Sequence, residues 1–177
     1  MKITILGGAR YNPNKKCCQT AFNLADYFLK KNYILYAGGG LGIMEAASRP
    51  YKDKPDLLFS ICINGDENSD KCYHWNGYGK YIEVENIKTQ TEVLTQEKDA
   101  IFIFPGGTGT LQELFHILSN KIYLHTKVFL IGKELKDLMF FCCLKFGKDI
   151  FTVEQNKLYY FDDFEEFKNK YIYLFLA

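Results

Sequence analysis

Residues 105–113 read PGGTGTLQE, three glycines and two threonines ahead of a single carboxylate. Glycines let the backbone approach a ligand closely, and threonine hydroxyls add donors. Where such a loop opens a helix, the unpaired N–H groups and about half a positive charge attract phosphate. Gly106, Gly107 and Gly109, with Thr108 and Thr110, therefore predict an anion cradle behind Pro105, with one of the threonines capping the helix. Glu113 lies one turn further on, on the face of Thr110. Two anions repel, so this carboxylate must address an uncharged or cationic part of the same ligand. The plainer alternative is a ligand-free turn whose glutamate merely suits the helix dipole.

Two more glycine loops occur, Gly7-Gly8 with Arg10 shortly after, and Gly38 to Gly42. Neither they nor PGGTGTLQE fits a common nucleotide signature. There is no Lys-Ser/Thr ending of a Walker A loop, and no acidic residue follows at the place where a ribose diol would be gripped. NAD and ATP are disfavoured, and no cofactor or metal is expected. Cys72 and His74 in DKCYHW are the one pair that suggests metal ligands, without a second pair at zinc-like spacing.

The elements that must hold these loops alternate between strand and helix. KITIL feeds the first glycines, and Ala21, Leu24, Ala25, Phe28 and Leu29 follow at helical period. A strand over 33–37 feeds GGGLG and a short helix through Met44 and Ala47. Strands are then predicted over 57–63 and 80–85, a helix over 87–97, and a strand over 100–104 that enters PGGTGT. A helix over 109–122, a strand 127–132, a helix 134–146, a strand 157–161 and a helix 162–175 complete the chain. Apolar strands without polar alternation imply a parallel sheet covered on both faces. The fold class is α/β, a Rossmann-like parallel sheet in a single domain over 1–177, with ligands beyond the carboxyl ends of the strands. The loops after the second and fifth strands adjoin if those strands pair.

Composition narrows the partners. At 177 residues, 47% hydrophobic, 24% charged and a net charge of +1, nothing calls for nucleic acid or an anionic membrane. No apolar run approaches the ~20 residues of a bilayer span, and MKITILGGAR turns polar before a signal peptide could form, so a cytoplasmic protein is expected. Cys17, Cys18, Cys62, Cys142 and Cys143 sit in apolar helix or strand patterns and read as buried thiols. Val93 with Leu94, and Phe115 with Leu118, extend the apolar faces of their helices and predict a homodimer through them.

PGGTGTLQE resembles the PGGxGTxxE motif of the Lonely Guy family of cytokinin-activating phosphoribohydrolases, long misannotated as lysine decarboxylases. GGGLGIM (38–44) is similar to that family's GGGxxGLM loop. The resemblance runs from Ile3 to about Lys168 and is thin between Pro50 and Asn86, where this chain looks shortened. It implies hydrolysis of the N-glycosidic bond of a nucleoside 5'-monophosphate, in a site completed across a homodimer. Glu113 would be catalytic. Gly8, Arg10, Gly39, Gly40, Gly42, Met44, Gln90, Pro105, Gly106, Gly107, Thr108, Gly109 and Thr110 would bind the substrate.

One departure stands out. The family carries Arg-Lys about fifteen residues before PGG, the arginine being catalytic, whereas this chain has Gln90 and Thr91; its two arginines are Arg10 and Arg49. Lysine, as at Lys88, cannot reproduce a guanidinium fork. Arg10 either reaches the pocket from another side or pairs with a surface carboxylate. Two readings result: a phosphoribohydrolase acting on an AMP-like nucleotide, favoured by Glu113, and a non-catalytic sensor or carrier of a nucleotide or pterin cofactor, favoured by Gln90.

Overall fold

The structure, a computed structural model, describes residues 1–12, 15–63, 75–147 and 151–176. Cys72 and His74 lie outside the described residues. Seven strands form one sheet: β1 (Lys2–Leu6), β2 (Ile34–Ala37), β3 (Leu58–Ile63), β4 (Lys80–Val84), β5 (Ala100–Ile103), β6 (Lys127–Ile131) and β7 (Leu158–Phe161). Their order is β4-β3-β2-β1-β5-β6-β7, and every neighbouring pair is parallel. Chain order runs outward from β1 in one direction and then, from β5, in the other, so the switch point lies between β1 and β5. Open α/β sheets bind ligands at that crevice.

The helices are α1 (Lys16–Lys30), α2 (Ile43–Ser48), α3 (Ile87–Thr95), α4 (Thr108–Ser119), α5 (Lys133–Phe146) and α6 (Phe164–Tyr171). Alternate residues of each inner strand supply opposite cores, which is why the strands read as unbroken apolar strings. Ile3, Ile5, Phe102, Phe129 and Ile131 face α1, α2 and α6, where Leu24, Phe28, Ala47 and Phe167 meet them. Leu6, Ile101, Ile103, Val128 and Leu130 face α3, α4 and α5, against Leu94, Leu114, Ile117, Leu135 and Met139. Thr4 also points to this second face, and its hydroxyl donates to the Leu94 carbonyl at 2.7 Å.

Helix boundaries differ from the periodic pattern where local chemistry overrides it. Asn86 caps α3 by accepting from the Thr89 N–H at 3.0 Å. At the other end the chain leaves the helix after Thr95, with Glu97 at φ 52°. The Lys98 ammonium donates to the Val93 and Gln96 carbonyls at 2.7 and 2.6 Å, and burial lowers its pKa to about 8. Left-handed Lys121 follows the end of α4, and the closing helix breaks into α6 and a short turn over Ile172–Phe175.

Two expectations need correction. Leu94 and Leu118 are core residues and Val93 packs half-buried against the core, so the apolar surplus on α3 and α4 reduces to Ile87 and Phe115. More apolar surface is exposed on α5, at Phe140, Phe141 and Leu144. Among the expected buried thiols, Cys18, Cys62 and Cys142 are buried, while Cys17 and Cys143 are half-buried; none of the five forms a disulfide.

Candidate functional site

The loops after β2 and β5 do not adjoin, because those strands do not pair; β1 lies between them. Its own loop joins the other two. The Gly8 N–H donates to the Pro105 carbonyl at 3.1 Å, and the Gly8 carbonyl accepts from the Ile43 N–H at 3.1 Å. Side chains are excluded along this seam. A Cβ on Gly7 would lie 2.7 Å from Ile43 Cγ2 and 2.9 Å from Phe104 Cβ; one on Gly8 would meet the Tyr11 ring at 2.7 Å and Gly106 Cα at 3.1 Å. One on Gly106 would strike Thr110 Oγ1 and come within 2.8 Å of the Gly8 nitrogen. Gly42, at φ 64°, packs so closely on the loop after β1 that a Cβ on it would lie 2.5 Å from the Gly8 carbonyl oxygen, and its backbone conformation disfavours any L side chain.

Beyond the seam the backbone opens. Gly107 and Gly109 are exposed, and a Cβ on either would meet nothing within 4 Å. The helix begins at Thr108 with Gly107 as its N-cap, and no side chain caps it. Neither threonine therefore plays the expected capping part. Thr108 is exposed, and Thr110 is buried beneath Gly106. The first N–H groups of α4 have no acceptor within the helix, and the positive end of its dipole faces the opening.

Glu113 occupies the next turn of α4. Its side chain keeps part of its surface open, yet protein crowds the carboxyl, and desolvation pushes its pKa up from 4.5 to about 8. No hydrogen bond or ion pair to it is present among the described residues. Among the described residues, then, no hydrogen-bonded or ion-paired cation keeps the group ionised.

Gln90 lies across β2. Its amide donates to the Ile61 carbonyl at 2.7 Å, with its nitrogen 3.8 Å from a Cβ placed on Gly38. Met44 brings its sulfur to the same glycine, 2.8 Å from that position. The positively disposed amide end of Gln90 is therefore spent on the end of β3. Arg49 pairs with Glu45 at 2.7 Å, and Arg10 and Lys88 are exposed, in the loop after β1 and at the start of α3.

Sequence reasoning missed the segment that fixes the β2 loop. The Asn76 N–H and side-chain amide donate to the Gly39 and Gly40 carbonyls, each at 2.8 Å. Gly39, at φ 73°, sits over Cys62 Sγ, whose thiol burial raises to a pKa of about 11. The signal that could have found it is the chain's single tryptophan, Trp75, adjoining Asn76. A hollow of about 440 Å³ lies elsewhere, along α4 between Phe115, His116, Tyr123 and Val153. The site is assigned to the loops because converging backbone donors and the desolvated carboxyl lie there. Among the described residues no group of three or more His, Cys, Asp or Glu side chains could hold a metal, and no helix is long and apolar enough to cross a membrane.

A parallel sheet with glycine loops gathered at its switch point defines a Rossmann-like α/β fold. The family described as "Possible lysine decarboxylase" matches residues 37–145, and the chain belongs to that family, the one its glycine motifs resemble. "Probable cytokinin riboside 5'-monophosphate phosphoribohydrolase LOG6" of Arabidopsis thaliana is 28% identical over 127 residues, covering 66% of this chain and 58% of that protein. "Cytokinin riboside 5'-monophosphate phosphoribohydrolase LOG2" of the same plant is 23% identical over 128 residues, 71% of this chain and 59% of that one. The chain thus spans less than two thirds of the length of these relatives. Among solved structures, the molybdenum cofactor binding protein of Rippkaea orientalis superposes with a TM-score of 0.68 at 19% identity, over 99% of this chain and 97% of that one. The Moco carrier protein of Chlamydomonas reinhardtii gives 0.64 at 19% identity, over 98% and 96%. These likenesses show the shared fold.

Proposed function

We propose that the loops after β1, β2 and β5 bind a nucleoside 5'-monophosphate and that the protein hydrolyses its N-glycosidic bond. The phosphate rests on the open amides of residues 107–110, and the ribose lies towards Glu113. The C1'–N bond breaks, water supplies the hydroxyl at C1', and its remaining proton ends on the departing base; the products are ribose 5-phosphate and free base. Glu113, as carboxylate, stabilises the positive charge developing on the ribose or takes the proton of the attacking water. The observation that carries this reading is the desolvated carboxyl of Glu113, one turn from the cradle and, among the described residues, without an ion-paired cation. The family relatives named for phosphoribohydrolase activity support it.

A homodimer belongs to the same reading. Ile87 on α3 and Phe115 on α4, each 40% exposed, are the apolar surface left on the two helices that flank the site. Sedimentation at micromolar concentration should give a dimer, and a monomer refutes it.

The alternative, a nucleotide or pterin-cofactor carrier without turnover, is favoured by Gln90, whose amide is committed to Ile61 where the family motif has arginine. The two solved neighbours named for molybdenum cofactor belong beside this alternative. Incubation with AMP, GMP, CMP and UMP separately, followed by chromatography for free base and ribose 5-phosphate, decides between them. Slow release of base from a purine nucleotide is expected. Nucleotide binding with no base from any of the four establishes the carrier.

A further inference from the structure

We propose that Trp75 is the platform on which the flat ring of the bound ligand stacks, so that the site selects ligands carrying a planar heterocycle. The proposal rests on the nucleotide-binding reading above and assigns its specificity to a residue outside the glycine motifs.

Trp75 stands at the edge of the β2 loop, its Cδ1 3.6 Å from where a Cβ on Gly39 would lie. The ring is set in place. Its Nε1–H donates to the Tyr78 carbonyl at 3.1 Å, and the Tyr78 N–H donates to Asn76 Oδ1 at 3.1 Å. Asn76 is itself bonded to Gly39 and Gly40, so the indole is tied through two residues to the backbone of the glycine loop. Tyr81 braces it edgewise, with ring centroids 5.5 Å apart at 65°.

An indole so fixed would be expected to bury itself. Its only polar atom is already satisfied, yet 43% of Trp75 stays exposed. A preoriented aromatic surface with no unmet hydrogen bond is suited to stacking on another ring, which costs it little ordering. The sheet also sets the reach. β2 is two strand spacings from β5, roughly 10 Å at about 4.8 Å each, which suits a ligand with phosphate at one end, a sugar between and a ring at the other. The phosphate end is then read by α4, the sugar by Glu113 and the ring by Trp75.

Because Trp75 is the only tryptophan, tryptophan emission reports this residue alone. The full chain is titrated with AMP, ribose 5-phosphate and inorganic phosphate, followed in parallel by calorimetry and by emission excited beyond the absorption of the base. AMP should quench Trp75, whereas ribose 5-phosphate should bind without quenching. Trp75→Ala should weaken AMP at least about tenfold and leave ribose 5-phosphate unchanged, and Trp75→Phe should stay within about threefold of wild type for both. AMP binding with unaltered emission, or with equal affinity in Trp75→Ala, overturns the stacking while the nucleotide reading stands. Failure of AMP, ribose 5-phosphate and phosphate alike to bind the wild type removes both.

Discussion

The glycines at the switch point divide into a packed seam and an open lip. Gly7, Gly8, Gly42 and Gly106 leave no room for a β-carbon, because three loops are pressed together there by the hydrogen bonds of Gly8. Gly107 and Gly109, at most three residues further along, would carry one into empty space. Glycine in the seam is a requirement of folding. In the lip the fold makes no such demand, and on the reading proposed above glycine there serves the approach of the ligand. The same residue type, in one nine-residue string, thus answers to two different constraints.

The strongest way to break the seam is Gly42→Ala. It forces a β-carbon onto the Gly8 carbonyl at an unfavourable φ, and should lower stability by about 3 kcal/mol and abolish nucleotide binding, as seen in thermal melts and calorimetry. Gly109→Val tests the lip. Its melting temperature should stay within about 2 °C of wild type, while AMP affinity falls by about a hundredfold or more because the isopropyl group fills the cradle. A comparable loss of stability in both variants would erase the distinction between seam and lip.

Glu113 sharpens the comparison, being one turn beyond the lip, desolvated by the protein around it and without a hydrogen bond or ion pair among the described residues. Glu113→Gln should still bind AMP and release base about a hundredfold more slowly. The pH dependence follows from the raised pKa. If the ionised form works, kcat/KM of the free protein climbs with pH through an apparent pKa of about 8 to a plateau above it, and at pH 6 lies roughly a hundredfold below that plateau. The same shift acts on stability. Between about 4.5 and 8 the folded protein retains a proton that the unfolded chain has lost, so stability falls as pH rises through that window. At pH 8.5, Glu113→Gln should therefore be more stable than wild type by about 2 kcal/mol, discounted for the part of the side chain that water reaches, with little difference at pH 4. Equal melts at both pH values would contradict the desolvation.

The smallest effect is expected from Gln90→Arg. The substitution removes the bond to the Ile61 carbonyl and brings a guanidinium over Gly38, and base release should rise by a few-fold, measured in the same chromatographic assay. No gain, with binding intact, favours the carrier.

Much of this was legible in the residues alone. Alternating strand and helix periods, apolar strings at Ile101–Ile103 and Val128–Ile131, and glycines after three strands determine a doubly covered parallel sheet with loops at one end, because periodicity and turn chemistry are local properties. The PGGTGTLQE string likewise declares its family by itself. Strand order is not local. That β1 separates β2 from β5, and so becomes the joint between their loops, depends on which strands pair, and the apolar strings are interchangeable in that respect. The desolvation of Glu113, the commitment of Gln90 to Ile61 and the pinning of Trp75 through Asn76 to the β2 loop each arise from residues far apart in the chain meeting in space. Residue type and spacing set what chemistry the site can contain; only tertiary packing decides which groups are spent holding the loops together and which remain for a ligand.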